Sequence, residues 1–161
     1  PIEATVVHDN APGLKLTGQL GDVMQESANI AYSYLRGNAE ELGLQAEFFN
    51  KSHIHLHVPA GATPKDGPSA GITMAVAIAS LARDKAPRKQ FAMTGELTLT
   101  GLVYPVGGIR EKLIAAKRQK LKNIILPAAN ARDVEEVPEH ITRGLTIHYA
   151  SSFADVAQLV F

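Results

Sequence analysis

The stretch that most restricts what this chain can become is Gly61-Ala62-Thr63-Pro64-Lys65-Asp66-Gly67-Pro68-Ser69-Ala70-Gly71, together with the apolar segment it opens. Residues 70–82 are nearly all Ala, Ile, Val, Met and Leu, so the pattern predicts a helix buried on most sides. Prolines fix the backbone and glycines permit conformations other residues avoid, so Pro64, Gly67 and Pro68 should hold Ser69 in one place as that helix begins. The free amides at a helix start favour negative charge, and an oxyanion could form there. Two plainer readings compete. A serine before an apolar helix also suits a simple N-cap. A phosphate-binding loop is the weaker rival, because its Gly-x-x-x-x-Gly-Lys-Ser/Thr pattern needs a lysine where Pro68 stands.

With 161 residues, 45% of them hydrophobic, the chain reads as one compact domain with a sizeable core. Sixteen basic and sixteen acidic residues balance to zero net charge, so no bulk attraction to nucleic acid or to an anionic membrane is implied. The absence of cysteine excludes disulfides and thiol chemistry and is compatible with a reducing cytoplasm. No apolar run reaches the ~18 residues of a membrane span, and no charged-then-apolar leader opens the chain, so a soluble protein is expected.

Residues 2–7 and 14–17 read as two short strands joined by a turn around Asn10, Pro12 and Gly13. Because the chain starts almost inside a strand, the expectation is a piece of a longer protein. From Asp22, the residues Met24, Ala28, Ala31, Leu35, Ala39 and Leu42 recur at helical spacing, with Asp22 and Gln25 placed as a capping box and Gly43 as the stop. Residues 48–58 read as a strand. Phe91 to Thr94 form another, followed by a hairpin of residues 97–100 and 102–106. A helix is expected from Ile109 to about Lys120, a strand over 123–126 and a short helix over 132–137. A strand over 145–149 then precedes a last helix capped by Ser151 or Ser152. Strands and helices alternate irregularly, which predicts a mixed α/β (α+β) domain of about four helices on curved sheets, without internal repeats.

Within the expected strand over 48–58, His53, His55 and His57 alternate with Ile54, Leu56 and Val58, which puts three imidazoles on one face. Two histidines so placed can bind zinc, and a metallohydrolase is a competing class. The third ligand would then be the remaining histidine of the same strand. Same-face neighbours on one strand lie roughly 6.5 Å apart, a spacing that three short bonds to one ion tolerate poorly. His8, His140 and His148 lie in segments without a ligand pattern. Hydrogen-bonding histidines that line a cleft are the better reading.

A serine nucleophile needs a base, and no Ser/His/Asp order is evident. On the helix from Ile109, the apolar stripe is Ile109, Leu113 and Ala116, and Lys112 falls on its edge while Arg110 and Lys117 point further away. A lysine there can simply snorkel, packing its stem and wetting its amine. Partial burial also lowers an amine from about 10.4 toward ~7 to 8, where it can take a serine proton. Thr94, just before Gly95, could hold that amine by its hydroxyl.

Three stretches carry a family resemblance: Pro64-Lys65-Asp66-Gly67-Pro68-Ser69-Ala70-Gly71, Met93-Thr94-Gly95-Glu96, and Pro105-Val106-Gly107-Gly108-Ile109-Arg110-Glu111-Lys112-Leu113-Ile114-Ala115-Ala116. Together they resemble the C-terminal proteolytic domain of the A-type, ATP-dependent Lon proteases. Gly18 to Ser27 and His55-Leu56-His57-Val58-Pro59 fit as well, so the likeness covers nearly the whole chain as one domain, 1–161.

The resemblance implies a serine endopeptidase acting on unfolded or damaged polypeptides in protein quality control. Ser69 would be its nucleophile, Lys112 the general base of a Ser-Lys dyad, and Thr94 the support of the lysine. Asp66 would be a gating or lysine-pairing acid, and His55 and His57 would lie near the cleft. The resemblance further implies a hexameric ring and a preceding AAA+ module, in which ATP and magnesium would bind, along with an N-terminal substrate-binding region. Those modules would have to precede Pro1, so the chain is expected to be an excised domain or a stand-alone relative. No cofactor or metal is expected in this chain, and its expected location is the cytoplasm or an organelle matrix. A catalytically silent domain of the same fold, used for assembly or binding, is the alternative.

Overall fold

The computed structural model describes residues 2–8, 11–59 and 67–161. Its centre is α3 (Gly71–Arg83), the apolar segment that follows the serine loop, in which Ile72, Met74, Ala75, Val76, Ile78 and Ala79 are buried. A helix without a polar face needs cover all round. Here α1 (Asp22–Gly37), α7 (Phe153–Val160), β1 (Glu3–His8), β3 (His53–His57) and β5 (Glu96–Leu97) all pack against α3.

The first sheet departs from the expected hairpin. Its order is β1-β3-β2, with β2 spanning Gly13–Thr17, so β3 separates the two strands that sequence proximity would pair. β3 runs antiparallel to β1 and parallel to β2. The physical reason is burial: Ile54 and Leu56 of β3 are fully buried on the inner face, and a central position also gives β3 backbone partners on both edges. Asn10, placed in the expected turn, lies outside the described residues.

α1 begins at Asp22 as expected, but no capping box forms, since Gly21 is the N-cap and makes no side-chain cap hydrogen bond. Gln25 instead donates its side-chain amide to the Leu20 carbonyl, 3.1 Å away. The helix also ends at Gly37, not near Gly43. Asn38 closes it by donating its backbone N–H and its side-chain amide to the Tyr34 carbonyl, at 3.0 and 2.9 Å. Downstream, residues 48–51 belong to α2 (Ala46–Lys51) and not to the expected strand. The helical turn buries Phe49 edge-to-face against Tyr32 of α1, with ring centroids 6.0 Å apart.

The second sheet is parallel, in the order β4-β7-β8, from β4 (Phe91–Met93), β7 (Asn123–Pro127) and β8 (Thr146–Ala150). The expected hairpin is present in shorter form as β5 with β6 (Val103–Tyr104). α4 (Ile109–Arg118) lays its predicted stripe of Ile109, Leu113 and Ala116 into a smaller core with Ile124, Leu126 and Ile141. The four longest helices, α1, α3, α4 and α7, are all among those expected, and the short helix expected over 132–137 is present as α5 (Ala131–Glu135). The mixed α/β class holds, with two short helices added: α2 and α6 (Glu139–Thr142). Ser152 caps α7 in a capping box with Asp155. Among the described residues, no helix is long and apolar enough to cross a membrane.

Candidate active site

Ser69 stands in the turn that leads into α3, where the Gly71 N–H donates to the Pro68 carbonyl at 3.1 Å. The N-cap of the helix is Ala70, with no side-chain cap hydrogen bond, so the capping reading of Ser69 does not hold. Its hydroxyl is not engaged in capping. The Ser69 carbonyl is pinned from two sides, by the Gly95 N–H at 2.9 Å and by the Thr94 hydroxyl at 3.2 Å. Thr94 is 4% exposed and donates its own N–H to the Ile125 carbonyl of β7 at 3.1 Å. The parallel sheet therefore holds the serine turn through Thr94.

Lys112 reaches this arrangement from α4. Its ammonium donates to Thr94 Oγ1 at 3.0 Å. The Thr94 proton is committed to the Ser69 carbonyl, so its oxygen can only accept from the lysine. A neutral Lys112 amine bound in this way keeps its lone pair for another proton. Burial lowers the Lys112 pKa from the ordinary lysine value, because desolvation disfavours the ammonium.

Ser69, Thr94 and Lys112 line one cavity of about 460 Å³. Ile2, Val58, Met93, Ala116 and Ile124 give it an apolar wall, and Lys112 is the one ionisable side chain among the described residues that line it. Two polar lining residues escaped the sequence reading although spacing could have found them. Thr73 lies one helical turn after Ser69, and Gln119 two turns after Lys112.

The remaining candidates lie elsewhere. Asp66 is outside the described residues. His55 and His57, expected near the cleft, do not line the cavity; they lie on the other face of β3 from the buried Ile54 and Leu56. There both rings bond the Thr17 hydroxyl, His55 Nε2 and His57 Nδ1 each at 2.7 Å. The strand alternation was legible, but which face turned inward was a matter of burial. Among the described residues, no three His, Cys, Asp or Glu side chains are placed to hold one metal ion.

The sequence has counterparts among known proteins. The profile of the family described as Lon protease (S16) C-terminal proteolytic domain matches residues 1–161. The chain belongs to the Lon protease family, as a member of its proteolytic domain. It is 59% identical over 160 residues to Lon protease 2 of Hydrogenovibrio crunogenus, a match covering 99% of this chain and 18% of that protein. It is 55% identical over 160 residues to Lon protease 1 of Syntrophotalea carbinolica, covering 99% and 20%. Lon protease homolog 1, mitochondrial, of Arabidopsis thaliana is 51% identical over 162 residues, covering 99% and 17%. The chain thus spans a fifth or less of the length of these relatives.

Proposed function

We propose that this domain is a serine endopeptidase that hydrolyses extended polypeptide through Ser69 and Lys112. The observation that carries the reading is the chain of contacts from Lys112 through Thr94 to the Ser69 turn, inside one partly apolar cavity of a Lon-family domain. Neutral Lys112 takes the Ser69 hydroxyl proton as Oγ bonds to the substrate carbonyl carbon. The carbonyl oxygen becomes an oxyanion, stabilised by backbone amides of the serine loop. The Lys112 ammonium then returns the proton to the leaving nitrogen, and the C–N bond breaks to leave an acyl ester on Ser69. Water, deprotonated by Lys112, attacks the ester and releases the acid and the serine. Every step is carried by residues of this chain.

The substrate class of this reading is extended, unfolded polypeptide. A folded protein of ordinary stability, ~5 to 15 kcal/mol, rarely exposes an extended segment, so unfolded polypeptide is the substrate this domain cuts alone. Assembly into a hexameric ring and coupling to an AAA+ module, in the cytoplasm or an organelle matrix, belong to the same proposal.

The test is a serine-directed phosphonate followed by mass spectrometry of the digested protein. The expected result is one adduct, on the peptide carrying Ser69, absent from Ser69→Ala together with peptide hydrolysis. No adduct and no hydrolysis in the parent protein would favour a catalytically silent domain, and near-parental turnover by Ser69→Ala would place the nucleophile elsewhere.

A further inference from the structure

Asn130 is a buried polar residue that the reaction scheme does not use. It is 2% exposed and sits after β7, at the N-cap of α5, where an asparagine ordinarily accepts a hydrogen bond from its own helix. It makes no such bond. Its side chain turns instead to a distant segment: Oδ1 accepts the Val106 N–H at 3.0 Å, and Nδ2 donates to the Val106 carbonyl at 2.9 Å. Nδ2 also donates to Asp133 Oδ2 at 2.7 Å, which fixes the plane of the amide. Both backbone groups of Val106 are thus clamped by one side chain.

Val106 is followed by Gly107 and Gly108, and then by α4. Gly108 is the N-cap of that helix, with φ 70, and its carbonyl accepts the Lys112 N–H at 3.0 Å. Two glycines beside a helix start leave the backbone little preference of its own, so the last firmly held residue before the helix is the one Asn130 grips. The buried stripe of Ile109, Leu113 and Ala116 fixes which face of α4 turns inward. It leaves small rotations and axial slides, and Lys112 sits at the edge of the stripe, where such movements displace its amine most.

We propose that Asn130 is a positioning residue for Lys112: by clamping Val106 it sets the start of α4 and so the reach of the Lys112 amine to Thr94. β7 then serves both halves of the site. Its Ile125 carbonyl holds Thr94, and the turn that follows it holds the helix of the lysine. The proposal rests on Lys112 acting as the base.

The experiment measures hydrolysis of an unstructured fluorogenic peptide against pH for the whole domain, for Asn130→Ala, for Asp133→Ala and for Lys112→Arg, with a thermal melt of each. Misplacing a catalytic group by ~1 Å costs about 100-fold, so kcat of Asn130→Ala should fall roughly 10- to 100-fold with KM within about twofold. A loosened, better-hydrated lysine titrates higher, so the alkaline-rising limb should move up by roughly half a pH unit. Asp133 is exposed, so Asp133→Ala should keep the fold and show a smaller shift in the same direction. Loss of that negative charge would by itself move a lysine the other way, which makes the upward shift diagnostic.

A merely structural role would lower the amplitude at every pH through loss of folded protein and leave the limb in place, and that result overturns the proposal. An unchanged profile overturns it too. If Asn130→Ala does not fold, the limb of Asp133→Ala decides. Near-parental activity of Lys112→Arg would instead show that the base assignment itself has failed. An inactive Lys112→Arg beside an unshifted Asn130→Ala limb removes only the positioning role.

Discussion

Lys112 Nζ lies 3.0 Å from Thr94 Oγ1, and this bond joins the helix of the smaller core to the end of the β4 strand beside the serine turn. Thr94→Val keeps the shape of the side chain and removes the hydroxyl that receives Lys112 and holds the Ser69 carbonyl. We predict a fall in kcat of roughly 10- to 100-fold with a stability loss of only about 1 kcal/mol. Thr94→Ser should recover most of the rate. Steady-state kinetics of the two variants checks this, and equal losses in both would mean that the hydroxyl does not orient the base.

Lys112→Arg should be inactive although it preserves the charge. A guanidinium does not deprotonate at working pH, and its planar fork does not reproduce a single amine donor. The measurement is peptide hydrolysis with a detection floor about a thousandfold below the parent rate, since loss of a base costs 100- to 10,000-fold.

The lowered Lys112 pKa has consequences for rate and for stability. Hydrolysis should rise with pH as the amine loses its proton. Between the lowered folded-state value and the ordinary unfolded value, the unfolded chain binds more protons, so folding stability also rises with pH across that window. Below the window, a partly buried ammonium burdens the fold by a constant amount. Lys112→Met should therefore melt higher than the parent near pH 7, with the gap closing toward about pH 10. Thermal melts at several pH values test this, and a gap that widens with pH would contradict it.

Gly71→Ala should destabilise the domain despite the better helix propensity of alanine. A β-carbon at Gly71 would lie 2.8 Å from the Leu97 backbone nitrogen and 3.3 Å from its Cβ, so α3 would have to move off the β5 strand. Such overpacking costs about 1–3 kcal/mol against a propensity gain of about 1. Because Ser69 stands just before this contact, hydrolysis should drop along with the melting temperature. A variant as stable and as active as the parent would show that α3 has room the structure does not display.

Chelation should leave the rate unchanged, because the Lys112 and Ser69 scheme draws on no metal and His55 and His57 are held by Thr17. The check is hydrolysis before and after dialysis against a chelator. A loss restored by zinc would bring back the histidine metal site.

What the sequence determined by itself is what depends on spacing along one segment. The apolar run after Ser69 had to be a buried helix, the 109–113–116 stripe placed Lys112 at a core edge, and Ser151 or Ser152 had to start the last helix, because helical geometry decides each of these within a few residues. The likeness of the serine and lysine stretches to one family was legible for the same reason, as was Thr94 beside its glycine.

The tertiary structure decided what depends on partners far apart in the chain. β3 parted β1 from β2, because its buried Ile54 and Leu56 outweighed the short path to a hairpin. Burial of Ile54 and Leu56 on the inner face also put His55 and His57 on the opposite face of β3. Residues 48–51 became helix because Phe49 found Tyr32. Asn130, unremarkable in its own segment, acquired its role when folding brought Val106 within reach of its amide. Local spacing encodes which face of an element is apolar, but hydrogen-bond partners and strand order are chosen only when all the faces compete for one core.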